Sequence, residues 1–171
     1  MKIFITTDAK QTKGLGKLLA EEIKGGPASR RPVSNRQEVS SRRGGKIICL
    51  EGELGSGKTT FTQGLLKGLG IKGPYTSPTF VVMKRYKRKL KGRKLLTKIQ
   101  SSVQIIYHID AYRVTAKNVL DIGWEEIISD KSGIIIVEWA DKIRKIIPKN
   151  SIWIKFKWLD ENKRKIILLS A

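Results

Sequence analysis

The sequence predicts an α/β fold, with a central, mostly parallel sheet flanked by helices and extended by a C-terminal antiparallel β-hairpin. Three observations carry this prediction. Gly52-Glu53-Leu54-Gly55-Ser56-Gly57-Lys58-Thr59 satisfies G-x-x-x-x-G-K-[ST] and lies between an apolar run and a helical pattern. Two further apolar runs, 103–110 and 133–139, each deliver a carboxylate to their C-terminal end. Strict alternation over 152–158, a polar turn and a second apolar run over 164–169 then describe a hairpin. A strand, glycine loop and helix in that order make the fold P-loop NTPase-like. At 171 residues and 40% hydrophobic composition, the whole chain, 1–171, reads as one domain with a single core.

The elements follow in order. Ile3 to Ile5 suggest a first strand, and Asp8 is placed to cap a helix carrying Leu15, Leu18, Leu19 and Ile23 on its inner face. That helix stops at Gly25-Gly26-Pro27. Residues 28–45 are rich in Ser, Arg and Gly and lack periodicity, which predicts a flexible basic insertion. Lys46 to Leu50 is a short buried strand, and Phe61, Leu65, Leu66 and Leu69 share one face of the helix after the glycine loop. Gly73 to Phe80 opens a strand through Val81, Val82 and Met83, and Pro78 excludes a regular helix there. Residues 84–98, nine of them basic, form a hairpin or an arm, too poor in aromatics to stack bases. A helix over 116–129, with Val119, Leu120, Ile122, Ile127 and Ile128 as its apolar surface, joins the two carboxylate-ending strands, although Gly123 weakens its pattern.

The glycine loop carries the chemistry. Glycines let successive backbone N–H groups curl around phosphates, Lys58 brings positive charge to the outer phosphates, and the Thr59 hydroxyl suits a magnesium ion. A nucleoside polyphosphate is the implied ligand. Open parallel sheets bind ligands at the carboxyl ends of their strands. Asp110 and Glu138 are therefore candidates to hold or orient the magnesium shell, the alternatives being a helix cap or a pair with Arg113 or a lysine. The hydroxyls of Thr76, Ser77 and Thr79 occupy the loop where nucleotide switches often contact the terminal phosphate. His108 is the single histidine, which excludes a histidine-rich metal site; a hydrogen bond to backbone is one role open to it, and a catalytic role is not expected. Trp139 is expected to pack in the core.

Charge is the second signal. There are 35 Lys and Arg against 15 Asp and Glu, for a net +20, and the isoelectric point is near 10.2. Such a field attracts polyanions, nucleic acid first, although a solvated basic surface gives the same count. Cys49, the only cysteine, sits within a strand with no disulfide or zinc spacing and is read as a small buried side chain. The opening residues lack the apolar run of a signal peptide, and no membrane-length apolar stretch occurs, so a cytoplasmic location without membrane association is expected.

Four motifs, Gly52 to Phe61, Ser77-Pro78-Thr79-Phe80, His108-Ile109-Asp110-Ala111-Tyr112-Arg113 and Val137-Glu138-Trp139, resemble in order and spacing those of the TsaE family, also called YjeE. The resemblance runs from Thr12 to the final hairpin. It implies an ATPase that uses ATP and Mg2+ in threonylcarbamoyladenosine modification of tRNA, acting with TsaB and TsaD, the latter making the transfer. It further implies Lys58, Asp110 and Glu138 as the catalytic set, with Thr59, Asp110 and Glu138 at the metal. Nucleotide contacts are implied for Thr12, Gly55, Ser56, Gly57, Lys58, Thr59, Thr60, Ser77, Thr79 and Trp139. Segments 28–45 and 84–98 are longer than the family pattern, and Ala111 stands where leucine is common. Two rival readings are a small-molecule kinase, which needs a second substrate pocket and an arginine-bearing lid, and a basic RNA-binding protein with a vestigial nucleotide site.

Overall fold

The computed structural model describes residues 1–24, 46–89 and 103–169. The insertion expected at 28–45 and the later part of the basic segment 84–98 lie outside the described residues. Among the described residues seven strands form one sheet: β1 (Lys2–Thr6), β2 (Lys46–Gly52), β3 (Met83–Lys89), β4 (Val103–Asp110), β5 (Ile134–Glu138), β6 (Ile152–Trp158) and β7 (Arg164–Leu169). Their spatial order is β1-β7-β6-β2-β5-β4-β3. The four central strands run parallel, β6 with β2, β2 with β5 and β5 with β4. Antiparallel strands finish both sides, β7 and β1 on one and β3 on the other. The mostly parallel sheet with a C-terminal hairpin is thus as the sequence predicts.

The continuous Ile and Val runs of β2 and β5 arise because both sheet faces are covered. On one face lie α1 (Ala9–Ile23) and α2 (Lys58–Gly68), packed on Ile48, Leu50, Ile106, Ile134, Ile136, Ile154 and Phe156. On the other, α3 (Ala116–Asp121), α4 (Trp124–Ser129) and a 3₁₀ segment (Ala140–Ile146) cover Ile47, Cys49, Tyr107, Ile109, Ile135 and Val137. Cys49 is fully buried, and burial pushes its thiol up to about 12.

Three expectations need correction. Leu18 is 64% exposed because α1 meets α2 through small residues rather than through a full leucine stripe. A Cβ on Gly16 would stand 2.2 Å from the Phe61 carbonyl oxygen, and one on Gly64 2.0 Å from that of Lys13. The buried face of α1 is accordingly Thr12, Gly16, Leu19 and Ala20. Second, the strand expected from Val81 begins only at Met83, since Val82 takes φ 62° in the turn before it. Third, one helix over 116–129 becomes two, broken at Gly123 with φ 86°; Trp124 is buried there while Leu120 and Ile122 are substantially exposed. In β6, Phe156 is buried and Trp158 is 49% exposed. In segment 84–98, residues 84–89 lie in β3 and pair with β4, as a hairpin strand would.

Candidate nucleotide site

The glycine loop leaves β2 at Gly52 (φ 144°) and enters α2 through Gly57 (φ 99°), backbone that disfavours any side chain. Phe61 N–H closes the first helical turn on the Gly57 carbonyl at 2.9 Å. Lys58 is buried at 4% exposure. Its ammonium donates to the carbonyls of Gly52 (2.7 Å) and Glu53 (2.8 Å), and sits 3.7 Å from the Trp139 ring centroid. Burial holds the Lys58 ammonium below the ordinary lysine range, opposed by the negative charges of Glu138, Asp141, Asp110 and Glu53. A cation kept in a partly desolvated loop is poised to gain from incoming phosphate charge. Ser56 is buried, with its N–H on the Glu53 carbonyl, while Thr60 in the first turn of α2 is partly exposed.

The two carboxylates are neighbours. Asp110 and Glu138 are paired in register across β4 and β5, so both project from the sheet face that α2 covers. Their partners differ. Glu138, 1% exposed, accepts the Thr59 hydroxyl on Oε2 at 2.6 Å and has His108 Nε2 at 2.8 Å from Oε1. Asp110 accepts the hydroxyls of Ser77 (2.6 Å) and Thr79 (2.5 Å) on Oδ2 and the Tyr112 N–H (2.9 Å) on Oδ1. Among the described residues neither acid caps a helix or forms an ion pair with a lysine or Arg113, whose guanidinium lies over the Phe80 ring instead. Glu138 thus touches the phosphate-loop hydroxyl, and Asp110 secures the loop at 75–82. Thr76 takes a different partner, the Lys84 ammonium.

Thr12 is placed beside the loop: its methyl is 3.5 Å from where a Gly57 Cβ would be, and its hydroxyl pairs with that of Thr6 at 2.8 Å. Trp139, φ 60°, stacks near Tyr112 with centroids 4.8 Å apart, so it both packs and faces Lys58. Sequence reasoning missed two residues. His108 bonds the Glu138 carboxylate rather than backbone; the signal was available, because His108 and Asp110 alternate onto one face of β4. Arg164 of β7 donates through Nε to the Gly55 carbonyl (3.0 Å), and one of its terminal nitrogens bonds the Asp160, Glu161 and Lys163 carbonyls. Its 109-residue separation from Gly55 gave no local signal.

The donor set suits a magnesium ion and nucleotide phosphates. It offers a hydroxyl, a carboxylate, a buried ammonium and a glycine-bent backbone. Among the described residues no group of three or more His, Cys, Asp or Glu side chains converges.

The fold is a mixed α/β domain whose glycine loop joins β2 to α2. Residues 6–166 match the family model described as "Threonylcarbamoyl adenosine biosynthesis protein TsaE". The chain is 35% identical to the tRNA threonylcarbamoyladenosine biosynthesis protein TsaE of Bacillus subtilis, over 71% of this chain and 68% of that one. It is 36% identical to the protein of the same name from Nostoc, over 83% of this chain and 69% of that one. The crystal structure of Bacillus subtilis YdiB superposes with a TM-score of 0.65 and 27% identity, covering 98% of this chain and 83% of that one. The chain belongs to the TsaE family.

Proposed function

We propose that the protein binds ATP with magnesium at the phosphate loop and hydrolyses it in support of threonylcarbamoyladenosine synthesis on tRNA, together with TsaB and TsaD. The observation that carries the reading is the Thr59–Glu138 hydrogen bond of 2.6 Å directly behind a loop holding a buried Lys58. Family membership supplies the tRNA context, since the relatives' names place them in that pathway.

When bound, magnesium would neutralise charge on the β- and γ-phosphates and on the leaving group. With its proton engaged by Glu138, the Thr59 oxygen keeps lone pairs free toward the cation. Lys58 exchanges its hold on the Gly52 and Glu53 carbonyls for the outer phosphates, regaining charge stabilisation that burial withholds. The N–H groups from Gly55 to Thr60 receive phosphate oxygens at the start of α2. Glu138, fixed by His108, is the acid set to orient water. Asp110 reports the state of the 75–82 loop through Ser77 and Thr79. The phosphoryl group passes to water, and the protein does not itself transfer the threonylcarbamoyl group. A cytoplasmic location suits the tRNA partner, and no described helix is long and apolar enough to cross a membrane.

The test is ATP hydrolysis by the purified chain, alone and with TsaB, TsaD and tRNA, with Lys58→Ala as control. Hydrolysis stimulated by the mixture and lost in the variant is expected. Hydrolysis indifferent to those partners, or unchanged in Lys58→Ala, would return the kinase reading.

A further inference from the structure

Resting on the tRNA reading above, we infer that one face of edge strand β3, formed by Arg85, Lys87 and Lys89, is a docking surface for the phosphodiester backbone of RNA. Five of the seven residues of β3 are basic, and the strand sorts them into two sets. Lys84, Tyr86 and Arg88 share the face on which Tyr86 packs into the α1–α2 core, and there the cations have internal partners, Lys84 at Thr76 and Arg88 at Gln104. Arg85, Lys87 and Lys89 occupy the opposite face and are exposed. Opposite them in the ladder stand Tyr107, Ile105 and Val103, none of them an acid. Among the described residues none of the three forms an ion pair, and Arg85 only overlies the Tyr107 ring at 5.5 Å. The ion pairs instead engage Lys2, Lys24, Arg144, Lys155 and Lys163, along with His108.

The result is a row of three cations with no ion pair among the described residues, repeating about every 6.8 Å along a strand. Lysines also guard sheet edges against pairing, but any charge does that, and a single-sign row adds self-repulsion for no further protection. Protein interfaces deplete charge at their centre and use aromatics, and membrane-surface segments need an apolar face to insert. This face of β3 exposes no large hydrophobic residue. Phosphate is the chemistry these three side chains offer, bound along β3 without base readout because none of the exposed residues on this face of the strand is aromatic. β3 also leaves directly from the candidate nucleotide site: the Val82 carbonyl, one residue before it, accepts the Asp110 N–H at 2.9 Å. RNA lying along β3 would therefore run up to the loop that Asp110 secures.

The test is anisotropy titration of labelled, unmodified tRNA with the full chain between 50 and 200 mM KCl. Arg85→Gln/Lys87→Gln/Lys89→Gln should flatten the slope of log K against log salt by roughly 0.7–0.9 for each phosphate no longer neutralised, about 2–3 in all, and weaken binding about a hundredfold at 0.1 M. The control Lys13→Gln/Lys17→Gln/Lys67→Gln removes the same charge from α1 and α2 and should leave the slope near that of the unaltered protein. Equal losses in both triples would reduce the effect to net charge and overturn the inference, as would an unchanged slope in the β3 variant. Absence of tRNA binding by the unaltered chain, or preference for phosphatidylserine vesicles over tRNA, would overturn it too. Arg85→Glu/Lys87→Glu/Lys89→Glu keeps the edge charged, and its retention of tRNA binding would leave only the edge-guarding role. ATP hydrolysis by the chain alone should be the same in the β3 variants and the unaltered protein. A failure of hydrolysis in all of them would count against the proposed function while leaving the titration to decide the surface.

Discussion

Gly64→Ala tests the claim that α1 and α2 meet backbone to backbone. The added Cβ would lie 2.0 Å from the Lys13 carbonyl oxygen and 2.7 Å from both its carbonyl carbon and its Cα. Ordinary contact begins near 3.4 Å, so the helices must separate by more than 1 Å, and the obstacle is backbone that no rotamer change can move. Overpacking of this kind costs about 3 kcal/mol, the upper end of the usual range. Alanine's better helix propensity returns about 1 kcal/mol, leaving a net loss near 2 kcal/mol. Gly14, on α1, supplies the contrast, because nothing lies within 4 Å of its Cβ position; there alanine should stabilise by about 1 kcal/mol. For a domain of this size, thermal unfolding followed by circular dichroism should show Gly64→Ala lower by about 4–8 °C and Gly14→Ala higher by about 2–4 °C. A neutral or stabilising Gly64→Ala, or shifts of the same sign at both glycines, would refute the close approach of α1 and α2.

Arg164→Ala removes the donor to the Gly55 carbonyl, and one charge-assisted hydrogen bond at a partly exposed site predicts about tenfold weaker ATP binding with the fold retained; titration with a fluorescent ATP analogue checks it, and unchanged affinity would remove Arg164 from the site. Asp110→Asn takes the carboxylate from Ser77 and Thr79, so amide exchange across 75–82 should quicken about tenfold, and protection equal to the unaltered protein would show that the loop is held elsewhere. Burial pushes the Cys49 thiol from its ordinary 9.0 up to about 12. Its folded value is raised, so its contribution is complete below pH 9 and falls as pH climbs toward 12, by about 1.4 kcal/mol at pH 10. Urea unfolding of the protein and of Cys49→Ala at pH 8 and pH 10 should therefore show the variant losing less, and parallel losses would refute the assignment.

Legibility in the sequence follows the range of the interactions. The glycine loop and its flanking strand and helix are readable because their geometry is local and only glycine fits the backbone angles at Gly52 and Gly57. The positions of Asp110 and Glu138 at strand ends are readable from apolar runs, but their division of labour is not, since it depends on Thr59 meeting one acid and Ser77 and Thr79 the other. His108 is assignable by counting alternation from Asp110. Leu18 misleads because hydrophobicity orients α1 one way and residue size another, and the closest packing runs through Gly16 and Ala20. Gly123 is visible as a weak point in a helix, yet its positive φ, which splits the segment and turns Trp124 inward, belongs to the tertiary structure. Arg164 is beyond reach because a strand made last in the chain supplies it to a loop made much earlier.

That arrangement has a consequence for how the molecule comes into being. Among the described strands β1 pairs only with β7, and β7 brings the arginine that props the Gly55 carbonyl. During synthesis β1 must wait for β7, and the glycine loop stands without its strut until the same moment. Completion of the sheet and completion of the binding loop are one event. A chain interrupted before Arg164 would retain every residue of the glycine motif while lacking its outer support, so a nascent or clipped copy would be a poor competitor for nucleotide.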